Sequence, residues 1–316
     1  MRHYTVIMSD LAFPEGPRWY DGYLYFSDMY GRKVFRYREG VGVESVGTVP
    51  ERPSGLAQDA NGDLLVSSML DRRIVRFRDG EPETFADLRE LCPGPVNDMT
   101  DDGHGGLYVG NFGFDSESSD GVMVPTRLVH VSADGDATQV GDPIMFPNGS
   151  VVTDGGTTLL VAETFNCRIL AFDIADDGLL SNRRNWAVFH EMQTEHNLEE
   201  ALGSGSILPD GICIDRDGAL WIADAGGQGA VRVAQGGAIL DRVPAPEGRA
   251  VFAVALGGDE GDLLFLCVGP VMGTTDPEVA RAGSLIACRV DVPQAREHTS
   301  AIRASSRRTQ DGTSAA

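Results

Sequence analysis

Positive charge is scarce in this sequence: 26 Lys and Arg stand against 47 Asp and Glu, a formal net charge of −21. A chain this acidic repels phosphate backbones and anionic bilayer surfaces, so neither nucleic acid nor a membrane is an expected partner. Cysteine is scarce as well. The five residues Cys92, Cys167, Cys213, Cys267 and Cys288 are odd in number, scattered, and form no Cys-x-x-Cys pair. That argues against a disulfide framework or a thiolate zinc site and suits buried, reduced thiols in a cytoplasmic protein. No apolar run approaches the ~18 residues that span a bilayer. Met1 to Asp10 lacks the apolar core and small-residue cleavage site of a secretory leader. There is no Gly-x-Ser-x-Gly elbow, no phosphate-binding P-loop and no dinucleotide fingerprint, so a serine hydrolase or nucleotide enzyme is not expected.

Glycine, by contrast, is abundant at 39 residues, with 16 prolines and only 7% aromatics in a chain of 316. The mixture suits many short strands joined by tight turns. A strand-like unit recurs: GYLYFSDMYGRKVFRY from Gly22, GDLLVSSMLDRRIVRF from Gly62, GGLYVGNFGF from Gly105, TTLLVAETFNCRILAFDI from Thr157, GALWIADAGGQGAVRV from Gly218 and GDLLFLCVG from Gly261. Its anchor leucines are Leu24, Leu64, Leu107, Leu159, Leu220 and Leu263. Apolar runs of four to six residues rich in Val, Ile, Leu and Tyr are strands rather than helices. Asn61-Gly62, Asp102-Gly103, Asp154-Gly155 and Asp217-Gly218 supply hairpin turns before the anchors. Asp59–Gly62 and Asp215–Gly218 look like calcium loops but lack the remaining ligands, and are read as turns.

Such repetition predicts an all-β fold, a six-bladed β-propeller over residues 1–293, with 294–316 as a disordered tail. The strand Tyr4–Met8 falls outside the six-fold pattern and is expected to close the last blade.

A second motif precedes each anchor: Pro14-Glu15-Gly16, Pro53-Ser54-Gly55, Val96-Asn97-Asp98, Pro147-Asn148-Gly149 and Pro209-Asp210-Gly211, with Phe252 near the same place in the sixth repeat. Equivalent positions in a propeller lie on a circle, so Glu15, Ser54, Asn97, Asn148, Asp210 and Phe252 are expected to ring the channel mouth. Two carboxylates brought to ~5 Å repel by about 3 kcal/mol at an effective dielectric near 20. A hard divalent cation offsets that, and oxygen-only donors suit Ca²⁺, Mg²⁺ or Mn²⁺. The alternative is that Pro-x-Gly is only a turn into each inner strand. A further circle is readable at Asp28, Ser68, Asn111, Glu163, Asp224 and Cys267, of which Asn111 and Asp224 are the better candidates to line a pocket. Long segments at 113–126 and 191–207, the latter with His196, are expected on the same face.

The stretches FPEG at 13, VND at 96, FPNGSVVTDGGTTLLVAETFNCRILAFDI at 146 and LPDGICIDRDGALWIAD at 208 resemble the senescence-marker-protein/gluconolactonase/luciferin-regenerating-enzyme family, from about residue 10 to 292. The resemblance implies a six-bladed propeller holding one divalent metal (Ca²⁺, Mg²⁺, Mn²⁺ or Zn²⁺) on Glu15, Asn148 and Asp210, with Asn97 touching substrate. It implies a hydrolase of a lactone or related cyclic ester, a small molecule, with Asp210 as metal ligand and candidate general base and Asn97 as the second catalytic residue. Two other uses of the site stay open: a non-hydrolytic isomerase, dehydratase or cyclase, and a non-catalytic binder. Substrate contacts are expected from Asn97, Asn111, Arg52 and Asp224. One departure stands out. Sugar-lactone members carry an Arg two residues before the substrate Asn, where this sequence has Pro95. Either Arg52 supplies that guanidinium from the neighbouring blade, or it is a salt-bridge partner on the rim and the substrate is less polar, with Phe252, Phe112 and Met123 as walls.

Overall fold

The computed structural model describes residues 2–78, 80–114, 123–153, 155–193, 197–227, 229–271 and 274–295. Local turn chemistry sets the blades. Gly62, Gly103 and Gly218 adopt φ of 88°, 79° and 78°, the left-handed region in which a Cβ is disfavoured. Beside them Asp59, Asp102 and Asp215 repeat one arrangement. Each accepts, through one carboxylate oxygen, the backbone N–H groups two and four residues further on. The other oxygen meets a cation or imidazole on the blade's third strand: Arg76 at 3.0 Å, His130 at 2.9 Å and Arg232 at 2.5 Å. The calcium-loop look of 59–62 and 215–218 is therefore hairpin chemistry.

These hairpins build six four-stranded antiparallel sheets. Five contain strands in sequence order. In the sixth, Thr5–Leu11 pairs with Gly283–Arg289 and supplies the outermost strand, so the two ends of the fold share one blade. The expected closing strand is present and runs three residues beyond Met8. The chain stays attached to the fold past the expected boundary at 293, because the Gln294 N–H donates to the Gly261 carbonyl at 2.8 Å. The rest of the expected tail, from 296 on, lies outside the described residues, as do Asp154, His196 and residues 115–122.

Apolar side chains fill the seams between neighbouring blades. Leu24 and Phe26 of blade one pack with Phe265 and Leu285 of blade six, and Tyr108 and Leu128 of blade three with Leu159 and Phe172 of blade four. Trp221 of blade five packs with Val254 and Leu266 of blade six. Of the anchors, Leu24, Leu107, Leu159 and Leu220 are fully buried, Leu64 nearly so, and Leu263 half-buried. A fully buried Leu contributes about 1.5–3 kcal/mol of transfer free energy.

The inner strands, Pro14–Tyr20, Pro53–Gln58, Val96–Asp101, Pro147–Val152, Pro209–Ile214 and Arg249–Gly257, meet in sequence around the axis and close into a ring. They approach to backbone contact. A Cβ placed on Gly149 would lie 2.5 Å from the Asp210 carbonyl oxygen and the Ile212 nitrogen, and one on Gly211 2.6 Å from the Ala253 Cα. The motif glycines therefore serve the seam between blades, which a simple turn does not require.

That close approach yields a stability prediction. Gly149→Ala is expected to destabilise the fold by about 1–3 kcal/mol through overpacking. Gly203→Ala, with nothing within 4 Å of the added methyl, should stay within about 0.5 kcal/mol of the parent. Urea titration followed by tryptophan fluorescence measures both. Equal losses would contradict the seam assignment.

Candidate functional site

Every inner strand carries a register shift next to its motif: between Glu15 and Arg18, Pro53 and Leu56, Val96 and Met99, Pro147 and Ser150, Pro209 and Ile212, and Val251 and Ala253. A bulge adds a residue to one strand and re-aims its side chain. Six bulges at one level turn the motif side chains toward each other around the axis.

The polar members of this ring form a relay. Ser54 Oγ donates to Asn97 Oδ1 at 3.3 Å, and Asn97 Nδ2 to Asn148 Oδ1 at 3.2 Å. Asn148 Nδ2 donates to Thr164 Oγ1 at 3.4 Å, whose hydroxyl donates to the Pro209 carbonyl at 2.8 Å. Four blades are thereby linked at one height, and buried polar groups satisfied in a chain hold one another rigidly.

Glu15 and Asp210 complete the ring. Both are buried to 8% exposure. Burial pushes the Glu15 carboxyl up to about 8, with the Gly16 N–H opposing and Asp98 adding to the rise. Burial likewise raises Asp210, and the Glu15 charge raises it further, while a hydrogen bond with Asn148 lowers it. The two carboxyls thus sense each other, and the protein alone does not support full ionisation of both at neutral pH. Asn148 Oδ1 accepts one hydrogen bond and, as an amide oxygen, has a second lone pair. Two buried, mutually repelling carboxylates beside a carboxamide oxygen are a donor set that fits a hard divalent cation. Among the described residues no three or more His, Cys, Asp or Glu side chains group as a metal site. A cation at the ring would therefore have to use carboxamide oxygen as well.

Behind the ring the channel is crossed by an ion pair that sequence reading missed. Arg18, three residues past Glu15, reaches from blade one to blade three. Its Nη2 donates to Asp98 Oδ1 and Oδ2 at 2.9 and 3.0 Å and to the Met99 carbonyl at 2.6 Å. Burial alone would lower the Arg18 pKa, and the charge and hydrogen bond of Asp98 together with Tyr20 and Asp101 outweigh it, so the guanidinium pKa is raised. Tyr20 adds a parallel link to Asp101 at 3.3 Å. Removing one partner of a buried pair costs about 3–5 kcal/mol. The signal was visible: Asp98 stands where four other repeats have Gly. Thr164 was also missed. It lies in a short 3-10 turn, Thr164–Asn166, that no repeat pattern marks.

The second circle is held by hydrogen bonds to nearby backbone. Asn111 is fully buried; its Oδ1 accepts from Gly113 N–H and Thr126 Oγ1, and its Nδ2 donates to the Arg127 carbonyl. Asp224, also fully buried, accepts the N–H groups of Leu208 and Gly226 through Oδ1. Asp28 holds Ala12 and Phe13 in the same way, and Glu163 holds Met145. Asp28, Glu163 and Asp224 clamp the segments that lead into the inner strands, while Asn111 ties together the connection between the second and third strands of its own blade. Arg52 lies on the rim. Its guanidinium covers the Tyr30 ring at 4.5 Å from the centroid and approaches Glu278 at 3.8 Å. Phe252, expected as a pocket wall, is 1% exposed beneath Phe13, with ring centroids 4.6 Å apart.

The sequence profile of the SMP-30/gluconolactonase/LRE-like region matches residues 13–269. The chain is 26% identical over 265 residues to the pentonolactonase XacC of Haloferax volcanii, covering 83% of each protein. It is 26% identical over 236 residues to the L-arabinolactonase of Azospirillum brasilense, covering 73% of each. The crystal structure of a calcium-binding protein, regucalcin from Agrobacterium tumefaciens, superposes with a TM-score of 0.74 at 18% identity, covering 93% of this chain and 95% of that one. With the profile spanning most of the chain and the propeller shared, the protein belongs to the SMP-30/gluconolactonase/LRE-like family.

Proposed function

We propose that this protein is a divalent-metal-dependent lactonase, hydrolysing a cyclic ester at the ring of Glu15, Asn97, Asn148 and Asp210. The observation that carries the reading is the pair of buried carboxyls, Glu15 and Asp210, each raised by burial. Membership of a family with lactonases among its relatives supplies the substrate class.

Glu15, Asn148 and Asp210 would hold the cation. When bound, a divalent cation supplies Lewis acidity toward a carbonyl and lowers the pKa of water. Asp210, ionised in its presence, takes a proton from the attacking water. The water oxygen adds to the carbonyl carbon. Asn97 spends one amide proton on Asn148 and has a second to donate to the developing oxyanion. The ring C–O bond then breaks, and Asp210 returns its proton to the leaving alkoxide, giving the open hydroxy acid. The Arg18–Asp98 pair fixes the floor on which blade one and blade three present Glu15 and Asn97. No membrane role enters this reading; among the described residues no helix is long and apolar enough to cross a bilayer.

Asp210→Asn keeps an oxygen donor but removes charge and basicity. Lactone kcat/KM at saturating metal should fall at least ~10²-fold. The melting temperature of the metal-free variant should equal or exceed that of the parent, because Glu15 loses a repelling neighbour. Near-normal turnover would take the base role away from Asp210.

The raised carboxyls also predict how stability depends on pH. Folded Glu15 keeps its proton up to about 8, well above an unfolded Glu at 4.5. The native state therefore binds more protons than the unfolded chain between those values, and stability of the metal-free protein falls as pH rises through them. Asp210 acts in the same direction. Saturating Ca²⁺ or Mn²⁺ should flatten the decline and add about 2.7 kcal/mol at a hundredfold excess over Kd. Chelated and metal-loaded denaturation curves from pH 5 to 8 measure this; identical curves would argue against a cation at these residues.

A further inference from the structure

We infer that the channel mouth selects lactones whose ring carries an apolar alkyl or aryl substituent, and disfavours polyhydroxylated sugar lactones. The inference rests on the lactonase reading and deepens it to a substrate class.

The residue two positions before each ring member forms an upper tier: Phe13, Arg52, Pro95, Phe146, Leu208 and Ala250. Five of the six are apolar. The sixth, Arg52, is turned to the Tyr30 face and to Glu278. On one side Phe13 lies over Phe252 at 4.6 Å and meets Tyr30 edge-on at 6.0 Å. On the other, Phe146 stacks with Phe112 at 4.7 Å and packs against Phe165 at 4.9 Å. Phe13, Phe112 and Phe146 are only half-buried. Phe112 is tied into the site by its N–H, which donates to the Pro95 carbonyl at 3.0 Å. Behind Phe146, a small apolar cluster of Met145, Phe165, Cys167, Ala201 and Leu208 backs the wall.

Hydroxyl recognition needs matched polar groups, and a site rejects a ligand whose hydroxyls lose water without gaining partners. Here part of the polar capacity below the tier is already spent, Asn97 Nδ2 on Asn148 Oδ1 and Asn148 Nδ2 on the Thr164 hydroxyl. Pro95 has no side-chain donor. An alkyl or aryl group on the lactone ring, by contrast, gains contact with Phe13, Phe146 and Phe112 while its carbonyl faces Asn97 and Asp210.

The test uses the full chain at saturating Mn²⁺ or Ca²⁺. Initial rates are measured for γ-butyrolactone, for γ-lactones with methyl to hexyl substituents, for a phenyl-substituted γ-lactone and for glucono-δ-lactone. The expected result is a kcat/KM that rises two- to fourfold per added methylene and exceeds that for the sugar lactone at least tenfold. Four-fold per methylene is about 0.8 kcal/mol, the value for full burial of a CH₂. Phe146→Ala and Phe13→Ala should each shrink the ratio of hexyl- to unsubstituted-lactone kcat/KM at least threefold. That ratio, taken within one preparation, is independent of how much of a variant folds, and the wild-type series needs no variant at all. A flat series with γ-butyrolactone turned over overturns the substituent preference and leaves the lactonase reading standing. A sugar-lactone lead of tenfold that Arg52→Ala abolishes overturns it too, and assigns Arg52 to hydroxyl binding. No turnover of any lactone with Ca²⁺, Mg²⁺, Mn²⁺ or Zn²⁺ overturns both.

Discussion

The close approach of the six inner strands around the axis governs the rest of this molecule. At the motif level they pack backbone against backbone, with no room for a Cβ on Gly55, Gly149 or Gly211. Each strand accommodates the crowding with a bulge at the same height. The bulges are what point Glu15, Ser54, Asn97, Asn148 and Asp210 inward rather than along the seams. Chemistry at the mouth is thus a consequence of how tightly the wheel closes.

Closure also sets the electrostatics. Turning Glu15 and Asp210 toward a narrow axis buries both, and burial is the largest cause of the rise in each pKa. The Arg18 guanidinium, whose charge opposes the rise at Glu15, is bonded to Asp98 of blade three. It lowers the Glu15 pKa but leaves the excess negative charge at the ring uncompensated. The carboxylates are held in place by the fold, at a cost, and strongly perturbed buried carboxyls of this kind cluster at functional sites. The Arg18–Asp98 pair has its own function: it replaces a seam glycine of blade three with a strut across the channel.

The second circle shows how one repeat pattern can carry two meanings. Asp28, Asn111, Glu163 and Asp224 share a register position, are all polar, and end the second strand of their blades. Nothing in their identities separates a pocket lining from a clamp. Their side chains turn back to the N–H groups of loops, including those of Phe13, Met145 and Leu208. In doing so they position the tier directly above the ring. Asp28, Glu163 and Asp224 thus act on the mouth through the backbone they hold.

Most of the architecture was legible in the chain, because a propeller writes its period into the sequence. Anchor leucines, Asx-Gly turns and Pro-x-Gly motifs each recur once per blade, and each is a local requirement of strand burial, positive φ or close packing. The inner ring followed from the same period, since equivalent positions must lie on one circle. Cross-axis facts had no such signature. That Arg18 meets Asp98 and that Phe13 covers Phe252 depend on contacts between blades far apart in sequence, and that Thr164 extends the amide relay and Arg52 turns to Tyr30 depends on turn and rim geometry that no repeat marks. The bulges that aim the ring were equally hidden, because a register shift belongs to a pair of strands and not to either one. The sequence by itself determined which residues share a level of the wheel; only the tertiary structure decided which way each side chain faces, because direction at the axis is set by the bulge each inner strand forms against its neighbour within the blade.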